Sequence, residues 1–163
     1  MGEHDVGFSP KPVLGHDSNF IFASRPSLGI KDTKFILPTA NSRPIALNGG
    51  VSMPGWSNIY GLDLSSPEDR EGFDATSRRI HTIVQAEIDR GLSPQRIVIG
   101  GFSQGGAAAL HYSLRCPHPL GGVLALSTWL PLRSDYPAAL SPAAAGFPIL
   151  FCHGTDDYVV DYS

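Results

Sequence analysis

The sequence predicts an α/β fold: a parallel-rich sheet with helices on both faces. Three observations lead there. Short apolar, β-branched runs recur along the chain, stretches with one apolar helical face separate them, and glycines mark the passages between the two. With 163 residues, 42% of them hydrophobic, the chain fits one domain around a single core.

Residues 1–33 read as an atypical N-terminal segment, because Pro10, Pro12 and Pro26 each remove a donor that a central strand needs. The α/β domain is expected over 34–163. Phe35-Ile36-Leu37, closed by Pro38, has the pattern of a buried parallel strand, and a polar, glycine-rich loop follows from Thr39 to Leu62. Ser66 with Pro67, Glu68 and Asp69 predicts a helix start: a capping side chain, proline at the first position, then acids facing the positive dipole end. Phe73, Thr76, Ile80, Ile83, Val84 and Ile88 give that helix one buried face, and Gly91 ends it. Arg96 to Ile99 is a strand entering Gly100-Gly101, and Gln104 to Leu114 is a helix. Residues 121–127 and 148–153 supply two further buried strands, and right-handed crossovers then fix most of the topology.

Composition excludes several functions. The net charge is −3 and no Lys/Arg cluster is present, so nothing attracts a phosphate backbone; nucleic acid is not an expected partner. Cys116 and Cys152 lack metal-type spacing, and the N-terminus lacks a basic and apolar leader, which points to a reducing, cytoplasmic location. The Met-Gly start does not continue as a myristoylation signal, since Val6 stands where Ser or Thr is needed. No apolar stretch approaches 18 residues, so no transmembrane segment is expected and any membrane contact is transient. Neither a metal nor a cofactor is called for.

Gly101-Phe102-Ser103-Gln104-Gly105 matches G-x-S-x-G, and it stands between a strand and a helix, where that motif lifts a serine hydroxyl above a sheet. Ser103 is therefore the candidate nucleophile. The Gln104 amide, at the helix N-terminus, is a candidate oxyanion donor. The structural alternative is a glycine-rich turn with an incidental serine. An acid should follow on the loop leaving a later strand, and Asp157 stands just past residues 151–155, with Asp156 as its immediate competitor and a turn aspartate as the bland reading. The base should come after the acid, yet no histidine follows Asp157 in this sequence. Of the histidines available, His81 and His111 fall inside helices, His118 in a Pro-flanked turn and His153 at a strand end, all better suited to packing or local bonding.

Around these residues the chain resembles the acyl-protein thioesterase, or phospholipase/carboxylesterase, family of α/β-hydrolases over about 28–160. The likeness rests on Lys34 to Ala40, Arg43-Pro44, Leu47 to Gly50, Met53-Pro54-Gly55-Trp56, Ile59-Tyr60-Gly61-Leu62, Glu68-Asp69, Arg96 to Gly106, Ser127 to Arg133, and His153-Gly154 leading to Asp157. The resemblance implies an α/β-hydrolase fold, a Ser-Asp-His triad without cofactor, and S-acylated proteins or lysophospholipids as substrates. It assigns Ser103 as nucleophile, Asp157 as acid and Gln104 as one oxyanion donor. Trp56, Ile59, Tyr60, Leu62 and Trp129 would line the acyl site, where each buried methylene of substrate contributes about 0.8 kcal/mol. Ordinary core packing is the other reading of those side chains.

Two departures stand out. The family's first core strand ends in His-Gly-Leu-Gly-Asp, and counting back from Pro38 puts 12–16 there, with only Leu14 and Gly15 agreeing; Leu14 becomes the candidate second oxyanion donor. The family's histidine has no counterpart in this sequence, so the fold is expected to be incomplete at the C-terminus and the 163-residue chain to be inactive or nearly so. The competing reading is a non-catalytic descendant, a lipid-binding or interaction protein that keeps the acyl groove.

Overall fold

The computed structural model describes residues 33–161. The expectations for Leu14 and for most of the N-terminal segment lie outside the described residues.

Three parallel strands form the central sheet: β3 (Val98–Phe102), β4 (Gly122–Leu126) and β5 (Ile149–Cys152), in the order β3-β4-β5. Helix α2 (Gln104–Arg115) crosses from β3 to β4, and the register sets Ile99 beside Val123 and Gly101 beside Ala125. Alternation then turns Ile99, Val123 and Ala125 towards α2, where Val123 and Ala125 are buried with Leu110. Helix α1 (Arg70–Asp89) packs across α2, and Val84, Tyr112, Cys116 and Leu120 form a second buried cluster flanked by Ile80, Ile88, Ile97 and Ile99. Both described helices thus lie against one face of the sheet. The other face carries Val98, Phe102 and Leu150, which are 63%, 47% and 60% exposed.

Three details differ from the sequence reading. Residues 35–37 carry no strand assignment, and Ile36 and Leu37 are about two-fifths exposed. The segment expected as a loop over 39–62 contains an antiparallel hairpin, β1 (Ser42–Ile45) with β2 (Val51–Pro54). Its turn depends on Gly49 and Gly50, both at positive φ. Helix α1 starts at Arg70 with Asp69 as its cap, not at Ser66. Asp69 Oδ1 accepts the Gly72 N–H at 3.0 Å while Oδ2 takes the Asn58 N–H at 2.6 Å and Arg43 Nη1 at 3.2 Å, bonds that fix the helix start three residues later.

Charged groups tie the helices to the loop after β4. Arg70 and Arg115 both reach the Asp135 carboxylate, at 2.6 and 3.0 Å, and hold its carboxyl down at about 2. The Arg115 guanidinium also stacks on the Tyr136 ring, 4.7 Å from its centroid.

Candidate active site

The strand ends converge on Ser103. It is the residue between β3 and α2, with φ 52° and ψ −125°, a backbone setting that side-chain-bearing residues rarely adopt and that costs on the order of 1–3 kcal/mol. Although serine is a favoured helix cap, its side chain makes no capping bond, so the hydroxyl is not consumed by the helix. The turn closes only because its neighbours are glycines. A methyl group on Gly101 would lie 2.3 Å from the Gly105 carbonyl, and one on Gly106 would lie 2.7 Å from Thr128 Cβ. The Ser103 N–H donates to Leu126 O at 2.9 Å, and Thr128 Oγ1 donates to Ser103 O at 2.7 Å, which locks the turn to the end of β4.

Gln104 opens α2, so its backbone N–H is among the first-turn donors that have no partner inside the helix. Its side chain has a separate task. Oε1 accepts the Trp56 N–H at 2.9 Å, and Nε2 donates to Ser57 O at 2.8 Å and Ser57 Oγ at 3.0 Å. Thr76 Oγ1 holds the Trp56 carbonyl at 2.5 Å from the other side. A methyl group on Gly105 would meet Trp56 Nε1 at 3.7 Å, so the indole edge stands beside the turn that carries Ser103.

Asp157 lies on the loop after β5 and is held inward. Its Oδ1 accepts the Val159 and Val160 N–H groups, each at 3.0 Å, and Ser127 bonds its side chain; these bonds, with the Val160 contact foremost, draw the carboxyl below its ordinary range. Asp156 is exposed. Ser127 itself follows β4 at φ 41°, and its N–H donates to Cys152 O at 2.8 Å. One strand, β4, separates the strand before Ser103 from the strand before Asp157, a lateral step of about 10 Å at ~4.8 Å per strand spacing.

No described histidine is free to bridge them. His81 Nδ1 bonds Tyr112 Oη at 3.3 Å, His118 Nε2 bonds Gln85 at 3.1 Å, and His111, buried against Phe73, bonds Asp74 at 3.1 Å. Burial pushes His111 down towards its neutral form. His153 is closest to the acid, its Nε2 3.5 Å from Asp157 Oδ2, but that nitrogen bonds Val160 O at 2.8 Å and the ring stacks on Phe151 with its side chain 2% exposed. Among the described residues no cluster of His, Cys, Asp or Glu could hold a metal ion, and no helix is long and apolar enough to cross a membrane.

Of the residues expected to line an acyl site, Trp56 and Ile59 are half-buried, whereas Tyr60 and Leu62 are 48% and 49% exposed and so are not core. Glu68 braces two of these segments: Ile59 bridges to it, and its carboxylate takes Trp129 Nε1 at 3.2 Å and the Leu132 N–H at 2.8 Å. Sequence reasoning missed the roles of Glu68, Ser127, Thr128 and the Gln104 side chain. Their only signal was membership in the matched segments, because bonds across 25 to 64 residues leave no local pattern.

The profile of the phospholipase/carboxylesterase family matches residues 14–163. Among curated proteins, acyl-protein thioesterase 1 of Cryptococcus neoformans is 42% identical over 134 residues, 80% of this chain and 56% of that protein. Acyl-protein thioesterase 1 of Mycosarcoma maydis is 37% identical over 171 residues, 99% of this chain and 68% of that protein. The chain thus spans little more than half to two thirds of the relatives' length. Among solved structures, Arabidopsis thaliana SOBER1 superposes with a TM-score of 0.80 at 31% identity, covering 86% of this chain and 70% of that one. Zea mays acyl-protein thioesterase 2 gives 0.70 at 29%, covering 86% and 68%. With the strained serine turn at its centre and a family match along nearly its whole length, the chain belongs to the phospholipase/carboxylesterase family of α/β-hydrolases.

Proposed function

We propose that this chain carries the nucleophile and acid of a serine hydrolase acting on long-chain acyl thioesters or esters, of S-acylated protein or lysophospholipid type. The observation that carries the reading is the Ser103 backbone at φ 52°, strained and glycine-walled, with a hydroxyl that caps nothing. Ser103 attacks the acyl carbonyl, the Gln104 N–H receives the developing oxyanion, and Asp157 orients the imidazole that takes the serine proton. Leu14 supplies the second oxyanion donor. Trp56, Ile59, Tyr60, Leu62 and Trp129 receive the acyl chain; the half-exposed Tyr60 and Leu62 suit a surface that covers an alkyl group only when substrate arrives. The protein works in the cytoplasm, with residues 34–163 as the hydrolase domain.

Because the four described histidines are bonded elsewhere, little turnover is expected unless a base is supplied: lacking the histidine of such a triad costs on the order of 10⁶ in turnover. Added imidazole can stand in for the base. The test is hydrolysis of a short p-nitrophenyl ester with and without imidazole, corrected for the reaction in buffer. Imidazole-dependent turnover that disappears in Ser103→Ala and Asp157→Ala supports the reading. Imidazole-dependent turnover that survives Ser103→Ala contradicts it, while saturable binding of a long-chain acyl ligand without rescue favours the non-catalytic, lipid-binding alternative.

A further inference from the structure

We propose that Glu68 is a positioning residue for the acyl site: its carboxylate locks the 59–68 loop to residues 129–132 and so sets a preference for long acyl chains. This role rests on the reading of Ile59, Tyr60, Leu62 and Trp129 as acyl-binding residues, and it adds what holds their two segments together.

The loop is closed at its base and apolar at its outer part. Ile59 and Glu68 form an antiparallel bridge, and the Ser66 N–H donates to Asp63 O at 2.9 Å. A methyl group on Gly61 would run into Ser66, so the two sides of the loop touch. Tyr60, Leu62 and Leu64 stand outward, 48%, 49% and 59% exposed. Such side chains meet a substrate in one arrangement only if the base of the loop is fixed to its neighbour.

Glu68 supplies that tie. One carboxylate oxygen accepts the Trp129 Nε1–H at 3.2 Å and the other accepts the Leu132 N–H at 2.8 Å, across 61 and 64 residues of chain. The deciding observation is Leu132. It has φ 51°, a setting that a bulky residue rarely adopts, and it is 6% exposed, so its N–H has little water to turn to and depends on the carboxylate. Strain of this kind persists only where the surroundings over-determine it. The Asp135 N–H, donating to Leu132 O at 2.9 Å, holds the same residue from its other end. Trp129 in turn follows Thr128, whose Oγ1 donates to Ser103 O at 2.7 Å. Glu68 therefore joins the 59–68 loop to the segment that holds the nucleophile turn. A long acyl chain that lies along both segments feels this joint, whereas a short one that stays beside Ser103 does not.

The experiment measures, with imidazole present, the rates at which alkyl fluorophosphonates bearing an ethyl or a dodecyl chain modify Ser103 in the 163-residue protein. The parent is expected to react faster with the dodecyl probe. Glu68→Gln keeps the volume but turns one acceptor oxygen into a donor; it is expected to lower the dodecyl rate about tenfold, the effect of one lost hydrogen bond to a charged group, and to leave the ethyl rate unchanged. Glu68→Ala is expected to lose at least as much, and Glu68→Gln keeps the test decisive if the alanine variant fails to fold. A purely structural role would lower both rates together. Equal rates for the two probes in the parent, or a dodecyl-to-ethyl ratio unchanged in Glu68→Gln, would overturn the proposal. If neither probe modifies Ser103 in the parent, the hydrolase reading fails and calorimetric binding of dodecanoate decides: an affinity about tenfold weaker in Glu68→Gln supports the role of Glu68, and equal affinity or no binding overturns it.

Discussion

Gln104 holds Trp56 by the backbone: its Oε1 accepts the Trp56 N–H at 2.9 Å, while its Nε2 bonds the buried Ser57 twice. The residue next to the nucleophile turn therefore also fixes the loop expected to meet substrate. Gln104→Leu keeps the volume and strands all three bonding groups. It is expected to destabilise the protein by about 1–3 kcal/mol, the cost of a buried polar group left without its partner. Chemical denaturation measures the loss, and hydrogen exchange should speed up at the Trp56 amide more than in the middle of α2; unchanged Trp56 exchange contradicts the clamp.

Gly101 and Gly146 differ in what a side chain would meet. A methyl group at Gly101 runs into the backbone of Gly105 and Gly106 at 2.3 and 2.6 Å, whereas one at Gly146 has nothing within 4 Å. Gly101→Ala should cost about 3 kcal/mol, the upper part of the overpacking range, because backbone cannot step aside as a side chain can. Gly146→Ala should stay within about 0.5 kcal/mol of the parent. Melting temperatures of the two variants check the contrast, and equal shifts would refute the steric account of the turn.

Local pattern made the core legible. Apolar runs marked β3, β4 and β5, although β5, expected to be buried, is exposed along its length; Gly101 to Gly105 marked the strand-to-helix turn, and Gly91, at φ 91°, stands just past the end of α1 as its position suggested. What was misread depended on distant partners. Residues 35–37 have a strand's composition but carry no strand assignment, and Ser66-Pro67 has a helix start's composition, but Asp69 is engaged by Asn58 and Arg43 from outside the helix. The hairpin at 42–54 was hidden because its strands carry Pro44 and Pro54 and little apolar alternation. At the candidate site Ser103 announced itself through its motif, whereas Asp157 is held chiefly by the Val159 and Val160 N–H groups, with Ser127, 30 residues earlier, adding a contact that has no sequence signature.

Asp135 joins the two helices through Arg70 and Arg115, and the Arg70 bond above all lowers its carboxyl from 3.8 to about 2. A carboxyl lowered by folding contributes stability that is fully present above its unfolded pKa and lost as pH falls through the folded one. The contribution should therefore fade between about pH 4 and pH 2. Asp135→Asn should be less stable than the parent at pH 6, with the difference narrowing across that window. Denaturation midpoints at pH 6, 4 and 2 measure it; a difference that stays constant with pH would show that the ion pairs carry none of it.

The central claim is that Ser103 is the nucleophile, and covalent capture tests it most directly. The 163-residue protein is treated with a long-chain alkyl fluorophosphonate in the presence of imidazole, and the adduct is located by peptide mass spectrometry. The expected result is one adduct, on Ser103, absent from Ser103→Ala and slowed in Asp157→Ala, since the strained turn presents the Ser103 hydroxyl uncapped beside the first-turn amides of α2. Labelling on another residue, or equal labelling of Ser103→Ala, would contradict it.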